Sequence, residues 1–202
     1  MQILYLVLAG LIGYLCGSIP FGYLYVRLFK GEDLRTIGSG RTGGTNSLRA
    51  AGLGVGVLTS FSDVLKGAAA VWLTTWLLGN ALGPALLPWA QATAGVLSVV
   101  GHNWSVFLKF GGGAGTGPNV GWSSAIWLWV IPIAFLVMGG MLYFVGMASV
   151  ASLSMAAVTI IIFAYRYFAG IDATLAYVAG SIAAGLVVTW ALRPNIKRVM
   201  NG

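Results

Sequence analysis

Residues 119–145 read NVGWSSAIWLWVIPIAFLVMGGMLYFV, without a single charged side chain. A membrane-spanning α-helix needs about 20 apolar residues, so this run is too long for one crossing. The polar tetrapeptide GWSS at 121–124 offers the chain a place to turn. We therefore predict two helices here, over about 117–125 and about 128–145. The number of membrane crossings in the whole chain depends on this split.

The composition of the chain is typical of an integral membrane protein. Of 202 residues, 58% are hydrophobic and only 7% are charged, and the mean hydropathy is +0.90, whereas a soluble domain carries about 25% charged residues. Five further apolar runs cover residues 3–26, 64–79, 86–100, 146–165 and 173–192. Because transmembrane β-barrels lack such continuous runs, we predict an all-α polytopic membrane bundle of seven transmembrane helices in a single domain, residues 1–202.

The basic residues predict the orientation of this bundle. With seven spans, ten of the eleven basic residues fall on one face. These ten are Arg27, Lys30, Arg35, Arg41, Arg49, Lys66, Lys109, Arg193, Lys197 and Arg198. Such a bias is expected of the cytoplasmic face, so we predict an N-terminus outside and a C-terminus in the cytoplasm. The net charge of +7 then describes a surface beside anionic headgroups, and nucleic acid is not an expected partner.

Three polar segments interrupt the apolar chain, and the seven-span arrangement brings all of them to the cytoplasmic side. We call them the first polar segment (GSGRTGGTNSLR, 38–49), the second (GHNWSVFLKFGGGAGTGPN, 101–119) and the third (LRPNIKR, 192–198). Successive glycines let backbone N–H groups converge on an anion, and arginine adds a planar fork that suits phosphate. The local chemistry therefore indicates phosphate binding.

A structural explanation of the same residues competes with this one. Glycines in membrane proteins often allow helices to pack closely, and basic side chains at helix ends extend toward headgroups. Lys66 lies one helical turn after Asp63 and can compensate its charge, while His102 can be a structural residue at a helix end. With one histidine and no cluster of carboxylates, the sequence predicts no metal site and no cofactor.

Several motifs together resemble a known family. GSIPFGYL at 17–24, then GSG, GGTN and Arg49, then FSDVLKG at 61–67 and the GH of the second polar segment, occur in the family's order. The chain resembles the acyl-phosphate-dependent glycerol-3-phosphate acyltransferases of bacteria, the PlsY family. The resemblance implies a seven-helix membrane bundle that moves a fatty acyl group from acyl phosphate to the 1-hydroxyl of glycerol 3-phosphate. The products are lysophosphatidic acid and phosphate, so the expected partners are these two substrates, or a lipid phosphate, and membrane lipids.

The resemblance also assigns roles to individual residues. It implies that Ser39, Arg49 and Asn195 are catalytic. It implies a second group that binds phosphate or substrate, namely Gly38, Gly40, Thr45, Asn46, Lys66, His102, Ser149 and Arg193. The first polar segment carries most of these positions.

The chain departs from the family pattern at four important positions. Gly111 and Ala114 stand where the family has two lysines, Leu192 replaces its C-terminal histidine, and Arg41 replaces an asparagine. Losing a charged phosphate contact forfeits about 1.5–3 kcal/mol, so another cation is needed. The only nearby candidates on that face are Arg41, Lys66 and Lys109.

These departures keep a second class of function open. The chain either is an active acyltransferase or has lost catalysis and serves as a structural or lipid-binding subunit of a larger membrane complex. A transporter is disfavoured because the spans carry no charged residue near mid-bilayer, where pathway residues usually lie.

Overall fold

The protein folds as a bundle of α-helices in a computed structural model that describes residues 1–171 and 174–200. The described chain forms eight α-helices: α1 (Gln2–Ser18), α2 (Phe21–Lys30), α3 (Gly44–Ala51), α4 (Leu53–Asn103), α5 (Thr116–Ile126), α6 (Val130–Phe144), α7 (Ala148–Phe168) and α8 (Leu175–Met200). Two single 3₁₀ turns, Leu34–Thr36 and Val106–Leu108, lie in the connections. The prediction of an all-α protein is confirmed.

Helix α4 is a hairpin of two antiparallel halves. Gly83 breaks the helix with φ 66° and ψ 176°, a backbone conformation that favours glycine. Residues equally distant from Gly83 then meet across the hairpin, since Gln91 Nε2 donates to Thr75 Oγ1 at 2.8 Å. The two halves correspond to the predicted runs 64–79 and 86–100.

Small residues bring α1 against the second half of α4. A Cβ at Gly13 would collide with the backbone of Ala94, and a Cβ at Gly17 would collide with that of Ser98. Close approach through small residues is the usual way for membrane helices to gain packing contacts. The two helices therefore run side by side to the same end of the bundle.

Trp122 of α5 anchors the largest apolar cluster. Its side chain is fully buried, its ring stacks on Phe163 of α7 at 5.5 Å between centroids, and its Nε1 donates to Oδ1 of Asn119 at 3.0 Å. Leu192 of α8 and Val99 of α4 belong to the same cluster. The core thus joins α4, α5, α7 and α8 directly beneath the second polar segment.

The helices predicted over about 117–125 and 128–145 are confirmed as α5 and α6, but GWSS does not form the turn between them. Residues 121–124 lie inside α5, where the Ser124 hydroxyl donates to the carbonyl oxygen of Gly121 at 2.8 Å. The chain turns at 127–129 instead, between α5 and α6. Two helices nevertheless occupy this stretch, as the length of the run predicts.

Within the described residues, four helical stretches are long and apolar enough to cross a membrane: Gln2–Lys30, Leu53–Asn103, Ala148–Phe168 and Leu175–Arg198. The run 146–165 becomes helical only at Ala148, and the run 173–192 begins at a residue outside the described part of the chain. An apolar helical membrane protein is therefore confirmed.

Candidate functional site

The three polar segments meet at one end of the bundle and enclose a cavity of about 320 Å³, which we call the polar cavity. Its lining comprises Ser39 and Arg41 from the first segment, Asn103, Trp104, Gly112 and Gly113 from the second, and Ala191, Arg193, Pro194, Asn195 and Arg198 from the end of α8. Three of the predicted site residues, Ser39, Arg193 and Asn195, therefore line one cavity.

Arg41 ties the three polar segments together. Its Nη1 donates to the carbonyl oxygen of Gly113 at 3.1 Å, and its Nη2 donates to the carbonyl oxygen of Ala191 at 2.6 Å. The same Nη2 donates to Oδ1 of Asn195 at 3.2 Å. Because a guanidinium has five N–H donors, Arg41 keeps donors for a ligand after making these three bonds.

The polar cavity is cationic. Arg41, Arg193 and Arg198 line it, and none of the described residues that line it is acidic. Burial and the positive charge of Arg198 lower the pKa of the Arg41 guanidinium, although arginine stays charged at neutral pH. The guanidinium of Arg193 lies over the Trp190 ring, 4.3 Å from its centroid. Like charges that share a cavity without a counterion favour the binding of an anion.

Asn46 shapes the turn that carries Ser39. Its side chain is 2% exposed, and its Oδ1 accepts a hydrogen bond from the backbone N–H of Ser39 at 3.2 Å. Its Nδ2 donates to the carbonyl oxygens of Ile37 and Arg41, both at 2.9 Å. Both amide hydrogens are therefore engaged by backbone, and Asn46 lies behind the cavity wall.

The polar, glycine-rich sequence of the first polar segment predicts a loop throughout, and the structure corrects this, because only its first half is a loop. Residues 44–51 form α3. A side chain at Gly44 would collide with Ser60 of α4, so the glycine allows these two helices to pack closely. Gly38 and Gly40 adopt φ 54° and 67° in the preceding turn. Arg49 is exposed at the end of α3, and a Cβ at Gly38 would lie 3.8 Å from its Cδ.

Five predicted positions in this segment lie outside the lining of the polar cavity. They are Gly38, Gly40, Thr45, Asn46 and Arg49. Ser149 is likewise outside the lining and lies half-buried in the first turn of α7. The structure therefore does not bring Ser149 to the group formed by Ser39, Arg193 and Asn195.

A buried charged triad lies behind the second polar segment. Nζ of Lys66 lies 2.7 Å from Oδ1 of Asp63 and 2.9 Å from Nδ1 of His102, and it donates to the carbonyl oxygen of Ile19 at 2.8 Å. All three charged or polar side chains of the triad are nearly fully buried. Lys66 therefore pairs with Asp63, as the structural explanation predicts, and neither Lys66 nor His102 lines the polar cavity.

The triad fixes the glycine-rich part of the second polar segment. Because an ammonium group only donates, Nδ1 of His102 accepts from Lys66 and the ring proton is on Nε2. A Cβ at Gly113 would collide with this Nε2, and the Gly113 N–H donates to the carbonyl oxygen of His102 at 2.9 Å. His102 thus holds Gly113 at the cavity wall, which is the loop-holding role expected of a structural histidine.

The three candidate cations for the role of the missing lysines occupy different places. Arg41 lines the polar cavity. Lys66 is paired with Asp63 in the buried triad. Lys109 is exposed at the tip of the loop, where its backbone adopts φ 54°. Only Arg41 among these three reaches the cavity.

An apolar groove of about 610 Å³ adjoins the polar cavity along α8. Its lining comprises Trp104, Leu186, Val187, Thr189, Trp190, Arg193, Ile196 and Lys197. Trp104 and Arg193 line both the groove and the polar cavity. The two spaces therefore share a wall, with apolar side chains on one side and guanidinium groups on the other.

Sequence reasoning missed Asn103, Trp104 and Arg198. Arg198 follows Asn195 by three residues, so the helical period could have placed both on one face of α8. Asn103 and Trp104 directly follow His102 in the second polar segment, but no spacing rule indicates that the end of α4 faces the cavity.

Known proteins resemble this chain over nearly its full length. The family description "Glycerol-3-phosphate acyltransferase" matches residues 7–202. A glycerol-3-phosphate acyltransferase of Rubrobacter xylanophilus is 38% identical over 97% of this chain and 92% of its own. A glycerol-3-phosphate acyltransferase 3 of Dehalococcoides mccartyi is 35% identical over 100% of this chain and 95% of its own.

Solved structures agree with these relatives. The crystal structure of PlsY (YgiH) in its glycerol 3-phosphate form has a TM-score of 0.81 to this fold at 32% identity, and the form with lysophosphatidic acid has a TM-score of 0.76 at 30% identity. Each comparison covers 98% of this chain and 92% of the other. The chain therefore belongs to the glycerol-3-phosphate acyltransferase (PlsY) family.

Proposed function

We propose that this protein transfers a fatty acyl group from an acyl phosphate to the 1-hydroxyl of glycerol 3-phosphate, giving lysophosphatidic acid and inorganic phosphate. The observation that carries the proposal is the polar cavity, which is lined by three arginines and adjoins an apolar groove. Both substrates carry phosphate, and one of them carries a long apolar chain. Family membership makes acyl transfer in phospholipid synthesis the reaction to which this geometry belongs.

Arg41 and Arg198 are proposed to hold the phosphate of glycerol 3-phosphate. A phosphate monoester carries a charge of about −1.5 to −2 at pH 7, which complements two guanidinium groups that otherwise repel each other. Arg41 is half-buried, so its attraction to an anion is less weakened by water than that of an exposed arginine. A cation supplied by the first polar segment thus replaces the lysines absent at Gly111 and Ala114.

The apolar groove is proposed to hold the acyl chain. Leu186 and Trp190 line it and are largely exposed on the outer face of α8, where a membrane helix meets lipid. Trp104 and Arg193 lie where the groove joins the polar cavity. The acyl phosphate would therefore place its tail along α8 and its phosphate beside Arg193.

The chemistry needs positioning more than a covalent intermediate, because an acyl phosphate is already activated. The 1-hydroxyl oxygen forms the new ester bond to the acyl carbon, the acyl–oxygen bond to phosphate breaks, and the phosphate leaves with the hydroxyl proton. Ser39 and Asn195 line the cavity and are proposed to orient the reacting groups. Arg49 is proposed to contribute positive charge near Gly38.

We also propose seven membrane spans in a bacterial cytoplasmic membrane, with the site on the cytoplasmic side. In support, α1 ends close to the site, since Ser105 Oγ donates to the carbonyl oxygen of Ser18. Helix α8 also ends at the site, since Arg198 lines the cavity. The two termini then lie at opposite ends of the bundle, which requires an odd number of crossings. The alternative of a non-catalytic subunit is not favoured, because Arg41 keeps a cation in the cavity.

One assay tests the proposed function. The purified protein in lipid nanodiscs is given palmitoyl phosphate and glycerol 3-phosphate, and lysophosphatidic acid is measured by mass spectrometry. We expect turnover with the native protein and its loss in Ser39→Ala. The matched control is Ser152→Ala, because the Ser152 hydroxyl bonds only to a carbonyl of its own helix and lies outside the cavity. Absence of product from the native protein would overturn the proposal.

A further inference from the structure

Asn103 ends α4 at the wall of the polar cavity with an unpaired side chain. The residue is 4% exposed, and neither Oδ1 nor Nδ2 has a hydrogen-bond partner among the described residues. Buried polar groups in native proteins are nearly always hydrogen-bonded. The amide therefore indicates a place where a partner is missing.

This amide is directed at the beginning of α5. A Cβ at Gly115, the residue before α5, would lie 3.0 Å from Oδ1 and 3.2 Å from Nδ2 of Asn103. Thr116, the first residue of α5, also has a buried hydroxyl without a partner. The first N–H groups of a helix have no acceptor within the helix. Several unpaired polar groups thus meet beside the polar cavity.

The chemistry of an amide indicates which ligand group would bind. An amide offers both a donor and an acceptor, whereas a phosphate dianion only accepts, so phosphate would leave Oδ1 of Asn103 unpaired. A hydroxyl group both donates and accepts and can satisfy Oδ1 and Nδ2 together. The arginines of the same cavity already supply the groups that suit phosphate.

We propose that Asn103 binds the C2 hydroxyl of glycerol 3-phosphate and thereby selects vicinal-diol phosphates as acyl acceptors. This inference rests on the proposed function. Glycerol 3-phosphate carries its phosphate on C3 and its hydroxyls on C1 and C2, so one small molecule offers both kinds of group to a single cavity that Arg41 and Asn103 line. Asn103 is a specificity-determining residue in this scheme, and it takes no part in bond making.

The test compares two acceptors. The first is glycerol 3-phosphate, and the second is 3-hydroxypropyl phosphate, which keeps the reacting hydroxyl and the phosphate but lacks the C2 hydroxyl. We expect the native protein to prefer the first by about 10- to 100-fold in kcat/KM, because a site that hydrogen-bonds a hydroxyl rejects the analogue without it. In Asn103→Ala the preference should fall to about 1, while inhibition by inorganic phosphate stays unchanged.

Two further variants keep the test decisive. Asn103→Ser replaces the amide by a hydroxyl, which also donates and accepts, and should keep part of the preference that Asn103→Ala loses. It also serves as the test where the alanine variant fails to fold. Asn119→Ala is the matched control, since the Asn119 amide is buried but paired with Trp122 and Thr159 in the core, and it should keep the native preference.

The outcomes separate the two proposals. A preference that is unchanged in Asn103→Ala, with or without lower stability, would overturn the inference and leave a purely structural asparagine. Turnover of neither acceptor by the native protein would overturn the proposed function and this inference with it.

Discussion

Ala114 packs against the buried apolar cluster that contains Leu192. The resemblance to the family places a lysine at the first of these positions and a histidine at the second. Both polar positions have therefore become part of one apolar core, beside Val99 and Trp122. Two departures from the family pattern thus lie at the same apolar cluster.

This shared packing predicts that lysine is tolerated at one family position and not at the other. Ala114→Lys should lower the free energy of unfolding by about 1–3 kcal/mol, because Ala114 is partly buried against the apolar cluster and a longer side chain must displace its neighbours. Gly111→Lys should change it by less than about 0.5 kcal/mol, since a Cβ there meets only the Leu108 carbonyl oxygen, at 3.3 Å. Thermal unfolding in detergent measures both variants. Equal stability of the two would contradict the packing argument, and a large gain in activity for Gly111→Lys would contradict the role given to Arg41.

Arg41 is predicted to determine affinity for the acceptor. Arg41→Gln should lower kcat/KM for glycerol 3-phosphate by about 10- to 100-fold, because a hydrogen bond to a charged group contributes about 1.5–3 kcal/mol. The control is Arg35→Gln on the same connection, where the guanidinium is exposed and paired with Asp33 at 2.6 Å. Steady-state kinetics in nanodiscs measure kcat/KM for both variants. Equal losses of kcat/KM in Arg41→Gln and Arg35→Gln would show that Arg41 does not bind the phosphate.

The buried triad is predicted to determine stability. Lys66→Met removes the ammonium group from the buried Asp63 carboxylate and leaves only His102, whose Nδ1 lies 3.5 Å from Oδ1 of Asp63, so the free energy of unfolding should fall by about 3–5 kcal/mol. The double variant Asp63→Asn with Lys66→Met should lose less, because no charge remains buried. Lys109→Met, at an exposed position, should be neutral. Chemical unfolding followed by tryptophan fluorescence measures the stability of each variant. A double variant less stable than Lys66→Met would contradict the prediction.

A methyl group at Gly113 is predicted to damage the site. Gly113→Ala would collide with Nε2 of His102, so either the loop or the triad must move, and turnover should fall at least tenfold. Gly139→Ala in α6 meets nothing within 4 Å and should be neutral or slightly stabilising. If both variants retain native turnover and unfolding temperature, His102 does not hold the loop as described.

The proposed topology predicts that a tag at the C-terminus is accessible from the cytoplasm, whereas a tag inserted between α7 and α8 is accessible from outside. Protease digestion of spheroplasts and of inverted vesicles measures both. A C-terminal tag digested only in intact spheroplasts would exclude an odd number of spans with the site in the cytoplasm.

Periodicity and charge predicted much of the fold, because lipid selects long apolar helices whatever their partners. The turn at GWSS was misplaced because a helix in lipid can satisfy serine hydroxyls internally, as Ser124 does with Gly121. Helix α3 was missed because its glycines lower helix propensity, while packing of Gly44 on Ser60 decides the structure.

The site was predictable by segment but not by residue. Residue types placed three polar segments together, and Arg41 was recognised as a possible replacement cation. Whether an asparagine faces a ligand or its own backbone depends on tertiary contacts that a sequence does not display. Asn46 is fully engaged by the backbone, while Asn103 has no partner among the described residues.

The shared wall of the polar cavity and the apolar groove has a consequence for how the rate should be measured. In the proposed function, the acceptor reaches the arginines from water, so its molar concentration governs the encounter. The proposed donor reaches α8 by lateral diffusion within the bilayer, where its mole fraction among lipids is the relevant quantity. Adding inert phospholipid at constant total donor should therefore slow the reaction by surface dilution, as in interfacial enzymes that draw one substrate from two dimensions and the other from three.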